Sequence, residues 1–210
     1  MMPPRTAAIS ATLTTVLLAG TSCSDNEAGM PITESPPATT QTSEPTADVP
    51  GVEPPPSVPK VTDPIQDVKR FISKPCDTLT HDQAAQLKLD AKIEENLDND
   101  QGPQCRYFNE KEDRLSVVFS KRQPLGIAGL YLNNQNTPGF YKYFEPVDIA
   151  GHPGVFADAA DDRPNGLCAL SVGLTDKQTV TMTLDIRGEK DPCSILKKAA
   201  EFAVKTMKQG

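Results

Sequence analysis

The chain has 210 residues, 37% hydrophobic and 23% charged, with a net charge of −7. That length admits one domain of roughly 100–150 residues with appendages, and the charge balance offers no strongly basic face of the kind a nucleic-acid reader needs. Ten of the twenty prolines fall within residues 24–64 and four of the five cysteines lie beyond residue 65, so composition divides the chain before any element is placed.

An apolar run, Ala7 to Gly20, follows Arg5. It is too short for a transmembrane helix, which needs about 20 residues, and fits the roughly 7–15-residue apolar region of an export signal. Thr21, Ser22 and then Cys23 follow, and the sequence turns polar. A basic start, an apolar stretch, small residues and a cysteine form a bacterial lipoprotein signal. The expectation is that 1–22 is a signal peptide and that Cys23 carries the lipid. The protein would then sit on the extracytoplasmic face of the cell membrane, held by a lipid anchor. Gly20 stands where a leucine-like residue is usual, so the alternative is an ordinary secretory signal cut nearby. Burial contributes about 0.8 kcal/mol per CH₂, so two or more acyl chains anchor stably.

Residues 23–64 read as a disordered tether. Proline alternates with Ser, Thr, Glu and Ala, and large apolar residues are scarce. Such a segment cannot bury enough surface to offset its ordering entropy. Polyproline II extends about 3.1 Å per residue, giving a reach on the order of 100 Å. Thr39, Thr40, Thr42 and Thr46 are candidate O-glycosylation sites in that setting.

Residues 65–210 form the folded domain. Their 19 basic and 21 acidic residues leave it nearly neutral. Thr80 and Gln83 have capping-box spacing and predict a helix through Ala84, Ala85 and Leu87. Weaker strands are expected at 104–108, 127–132 and 140–144. Stronger alternation marks Leu115, Val117 and Phe119, then Cys168, Leu170, Val172 and Leu174, then Val180, Met182, Leu184 and Ile186. The last two runs are joined by a hairpin-sized loop at 175–178. Asp191 and Pro192 suit a helix start. Ile195, Leu196, Ala199, Phe202, Ala203 and Met207 recur at helical spacing behind them. The fold class is therefore α+β: an antiparallel sheet of about five or six strands with an N-terminal and a C-terminal helix packed on it.

Cys76, Cys105, Cys168 and Cys193 make an even set in an exported domain, which reads as two disulfides. No spacing suits zinc, so no metal and no cofactor are expected. Cys105 and Cys168 fall on strands, Cys76 and Cys193 at helix starts. Pairing like with like gives Cys105–Cys168 and Cys76–Cys193.

Little else carries chemistry. His81 lies in the capping box, His152 in a turn, and Ser194 has no evident base. No phosphate loop, zinc-protease or serine-hydrolase motif is present, and no catalytic residue is expected. Asp158, Asp161 and Asp162 are acidic enough to suggest Ca²⁺, but their spacing suits a solvated loop better. Tyr131, Phe140, Tyr141, Tyr143 and Phe144 are the densest aromatics of the chain. They are core packing or the lining of a ligand-binding groove.

Four pieces in order resemble a known family: Lys74-Pro75-Cys76-Asp77-Thr78-Leu79-Thr80, Cys105-Arg106-Tyr107, Cys168-Ala169-Leu170-Ser171-Val172 and Asp191-Pro192-Cys193. With the proline-rich tether they are similar to the actinobacterial lipoproteins that carry the domain of unknown function 3558. The resemblance spans roughly 65–208. It implies an exported, lipid-anchored domain and supplies no reaction.

Two functional classes remain as expectations. One is non-enzymatic binding of a small envelope or apolar ligand. The other is a protein-interaction subunit docking on a cell-envelope or secretion complex. In a host with lipoprotein-processing enzymes, Cys23→Ser is expected to move the protein from the membrane to the soluble fraction and to end labelling by an alkyne fatty acid.

Overall fold

The computed structural model describes residues 58–210. The signal segment, most of the tether and Cys23 lie outside the described residues. In chain order the elements are α1 (Val68–Ser73), a 3-10 turn (Pro75–Thr78), α2 (His81–Gln86), β1 (Lys92–Asn96), β2 (Gln104–Phe108), β3 (Arg114–Phe119) and α3 (Ala128–Asn136). After these come β4 (Tyr143–Ile149), β5 (His152–Asp158), a 3-10 turn (Arg163–Asn165), β6 (Leu167–Thr175), β7 (Gln178–Asp185) and α4 (Pro192–Gln209). The fold is α+β, with a seven-stranded sheet ordered β1-β2-β3-β7-β6-β5-β4. Every pairing is antiparallel.

The helix starts obey local chemistry. Thr80 accepts from the Gln83 backbone while the Gln83 side chain accepts from the Thr80 backbone, which closes the capping box of α2. Asp191 accepts from Ser194 N, and Pro192 opens α4, where its missing N–H has no helical partner to lose.

The main core lies between α4 and the sheet. Leu196, Ala199, Ala200, Ala203, Val204 and Met207 of α4 are buried. They meet Cys168, Leu170, Val172 and Leu174 of β6 and Val180, Met182 and Leu184 of β7, which share that core. Three alanines on the contact face let the helix backbone approach the sheet closely, and close approach multiplies dispersion contacts. Ile195 and Phe202 fall at the flanks of the buried stripe and are only partly covered. The same core takes in Phe71 of α1 and Ala84 of α2. Thr206 of α4 donates to the Gln83 side chain at 2.9 Å, tying α2 to α4.

Two of the expected strands are placed differently. The 127–132 segment, expected as a strand, lies largely in α3. Its buried residues Ile127, Leu130 and Tyr131 are three and four apart and pack on Val155 of β5. That is the helical period. The segment from β3 to β4 must also pass three intervening strands to reach the far edge, a span of roughly 19 Å at about 4.8 Å per strand. It does so across the sheet face opposite α4, carrying α3 with it. Secondly, the strand expected at 140–144 begins at Tyr143 and runs to Ile149. It turns through Ala150 and Gly151, both at positive φ, into β5. A two-residue hairpin with both central residues left-handed is a type I′ turn. His152 is therefore the first residue of β5 rather than part of the turn.

Neither α1, β1 nor β5 was expected, and the sheet has seven strands where five or six were expected. β1 is an edge strand rich in charge, with Lys92, Glu94 and Glu95. The opposite edge, β4, contains Pro146. Residues 58–64, which composition places in the tether, begin to pack on the domain: Val61 is buried and its N–H donates to Asp176 Oδ1.

The disulfides are Cys76–Cys105 and Cys168–Cys193, with Cα separations of 5.0 and 5.3 Å. This corrects the expected pairing Cys105–Cys168 and Cys76–Cys193. Cys105 is on β2 and Cys168 on β6, with β3 and β7 between them. Three strand steps are roughly 14 Å, and a disulfide spans at most about 7 Å between Cα atoms. Each strand cysteine instead faces a helical start on the same side of the sheet. Tyr107, buried two residues beyond Cys105, reinforces the first link by donating its hydroxyl to Cys76 O at 2.9 Å.

Removing either bridge frees a loop of under 30 residues. In the chain-entropy account each closure is worth about 3.5 kcal/mol. The double variant Cys168→Ser/Cys193→Ser is expected to lose about that much in urea unfolding, and unreduced peptide maps of the native protein should join Cys76 only to Cys105.

Candidate functional site

The five aromatics do not act as one group. Tyr131, Phe140, Tyr141 and Phe144 form a continuous stack on the α3 side of the sheet. Tyr131 meets Phe144 edge-on at 5.0 Å, Phe144 meets Tyr141 at 5.5 Å, and Tyr141 meets Phe140 edge-on at 4.9 Å. Asn133 Nδ2 donates to the Tyr141 hydroxyl at 3.3 Å. Burial raises the Tyr131 phenol above its ordinary value. The stack fills its own space, and the cavity beside Tyr141 and Leu125 is only about 240 Å³. Drug-sized ligands occupy roughly 300–1,000 Å³.

Tyr143 points to the other face, because neighbouring strand residues alternate. It is buried in the main core, its hydroxyl accepts from Ala169 N at 3.3 Å, and its pKa is raised by burial. Arg163 lies over its ring at 4.0 Å. What the aromatic end does expose is a set of apolar side chains: Leu125 (55%), Phe140 (46%) and Leu132 (36%).

The acidic segment is engaged by Arg163. Its Nε and Nη2 each donate at 2.7 Å to Asp161, and its Nη1 donates at 2.8 Å to Glu145. The side-chain hydrogen bond from Arg163 holds the Asp161 carboxyl below its usual range. Asp162 accepts from Asn165 and Asp158 from Ala160. Among the described residues no cluster of His, Cys, Asp and Glu gathers for a metal ion.

The two histidines have different settings. His81 is exposed at the start of α2. His152 is fully buried, with Nδ1 2.8 Å from Gly173 O. A carbonyl only accepts, so Nδ1 carries the proton, and Nε2 has no partner among the described residues. A buried imidazole used in this way has no access to substrate.

A second recess, partly apolar, lies elsewhere. A groove of about 860 Å³ runs between edge strand β4 and helix α4. Val147 and Ala150 form one wall and Phe202 the other. Lys197, Glu201, Lys205 and Lys208 line the α4 rim, and Asp148 stands on the β4 rim. Lys197 pairs loosely with Glu201 at 3.8 Å. Lys208 pairs with Asp63 at 3.0 Å and donates to Ala150 O at 3.3 Å. Asp148 accepts from Gly151 N within the hairpin. A larger recess, about 1010 Å³, opens between α2, the β2–β3 turn and the start of α4. Lys88, Asp90, Glu110, Lys111, Glu189 and Lys198 all line it. Charged side chains border both recesses, and the exposed lining of the β4–α4 groove is in proportion the more apolar of the two.

The groove was missed in the sequence because Val147 and Phe202 are 55 positions apart. Its one local trace is Phe202, the sole aromatic of α4, flanked by lysines at positions 197, 198 and 205.

Packing separates structural from exposed aromatics. Tyr131→Ala is expected to cost about 3 kcal/mol in urea unfolding with an unchanged slope, and Phe140→Ala under about 1 kcal/mol.

Nothing among curated proteins or solved structures matches this chain. The family described as Protein of unknown function (DUF3558) matches it over residues 17–206, and the chain belongs to that family.

Proposed function

We propose that this protein is a non-enzymatic binding domain, displayed outside the cell on a lipid anchored at Cys23, and that the β4–α4 groove is its ligand seat. The groove carries the reading. Its volume falls in the range of ligand pockets, and its apolar lining, Val147 and Phe202 with Ala150, is carried by a strand and its hairpin turn on one side and by a helix on the other. The ligand class is a small molecule with an apolar body. The placement of the histidines supports a role without catalysis: one is buried on a backbone carbonyl and the other is a helix-start residue in solvent.

A second reading rests on Leu125, Leu132 and Phe140. Exposed apolar side chains at one end of a domain suit docking on another protein. In this reading the protein is a scaffold subunit of an envelope assembly.

The neutral fluorophore Nile red separates the two. Phe202→Asp is expected to weaken its binding at least about tenfold, because a buried charge replaces the apolar wall. Phe140→Ser is expected to leave it unchanged. The opposite pattern, at unaltered melting temperature, would transfer the apolar binding to the exposed patch and end the groove reading.

A further inference from the structure

From the charges around the groove, and resting on its assignment above as the ligand seat, we infer that its ligand is a single-chain anionic amphiphile, a long-chain carboxylate, whose head group pairs with Lys205.

The cations of this nearly neutral domain are unevenly placed. α4 carries Lys197, Lys198, Lys205 and Lys208 against the single acid Glu201. Three of those lysines border the groove. Two have protein partners: Lys197 has Glu201, and Lys208 has Asp63 and Ala150 O. Lys205 is exposed and makes no ion pair among the described residues. It follows Phe202 by three residues, so the two lie on neighbouring turns of one helix flank. An apolar wall and an unpaired cation thus stand side by side at a groove's lip. That juxtaposition is complementary to a chain that ends in a negative charge.

The two acids of the groove do not cancel this arrangement. Three lysines outnumber the two acids, Glu201 lies 3.8 Å from Lys197, and Asp148 spends one oxygen on Gly151 N within the β4–β5 hairpin. The partial negative charge of the helix terminus is confined to the last turn, which Lys205 precedes. There the Arg70 guanidinium donates to Gly210 O at 3.1 Å and offsets it. One strand with its hairpin turn and one helix flank line the groove, with a single, partly covered aromatic, Phe202. A single alkyl chain lies along such a strip.

The test is calorimetric titration of the full chain carrying Cys23→Ser, so that no acyl group of its own competes. The probes are dodecanoate, dodecan-1-ol and dodecyltrimethylammonium, each below its micelle concentration. Dodecanoate is expected to bind tightest and the ammonium weakest. Lys205→Glu should weaken dodecanoate about fivefold to tenfold and leave dodecanol unchanged. Lys205→Ala should give a smaller loss, and both substitutions sit at a solvent-exposed position. If dodecanoate and dodecanol bind alike, insensitive to Lys205→Glu but abolished by Phe202→Asp, the groove stands and the head-group assignment falls. If Phe202→Asp changes nothing, both fall. Flotation with phosphatidylglycerol vesicles, in the absence of any dodecanoate binding, would overturn the single-chain occupant in favour of a bilayer surface.

Discussion

The close packing of α4 on β6 and β7 is the contact on which the rest of the domain depends. Ala199, Ala200 and Ala203 make it possible by keeping the helix surface thin where it meets the sheet. Central strands buried on that face supply the matching apolar rows. Once α4 is seated, its flanks are fixed as well. One flank meets α2 through Thr206 and Gln83, and the other stands over β4 and creates the groove. The recess is thus a by-product of geometry. A helix that crosses the middle of a seven-stranded sheet covers edge strand β4 only in part, burying Tyr143 and Ile149 and leaving Val147 at the groove.

The two faces of the sheet are finished differently. The α4 face is a continuous core with both disulfides at its margin. The opposite face is covered locally by α3, through Ile127, Leu130 and Tyr131 against Val155. Both free edges are guarded against further strand addition. β1 presents Lys92, Glu94 and Glu95, and β4 carries Pro146, which lacks a backbone donor.

Legibility in the sequence followed how local each determinant was. The α2 capping box, the start of α4 and the alternation of β6 and β7 are each written within a few residues, and each was readable. β1 was not, because its lone large apolar residue, Ile93, is itself 43% exposed, leaving no buried face to signal. α3 was obscured because Ile127, Gly129 and Tyr131 alternate in type, while the pattern that counts is Ile127, Leu130 and Tyr131. The disulfide pairing depended on the insertion of β7 beside β3, a long-range fact that no local pattern records. The aromatic segment was visible as a cluster, but strand alternation sends Tyr143 to the face opposite Phe144. The groove was illegible for a similar reason: its walls come from distant parts of the chain.

The corrected disulfides pair each cysteine with its nearest neighbour in sequence. Separations of 29 and 25 residues enclose two loops that neither overlap nor nest. Cys76 and Cys105 come together through a 3-10 turn and a strand that need nothing beyond β2 to be adjacent. Cys168 and Cys193 bracket the β6–β7 hairpin and the first turn of α4. Were the chain threaded into an oxidising compartment from its N-terminal end, the four cysteines of the domain would emerge in the order in which they pair. Sequential oxidation would then yield this connectivity, with no domain thiol waiting for a partner at the far end. The connectivity suits vectorial delivery, with little call on an enzyme to reshuffle mispaired bonds.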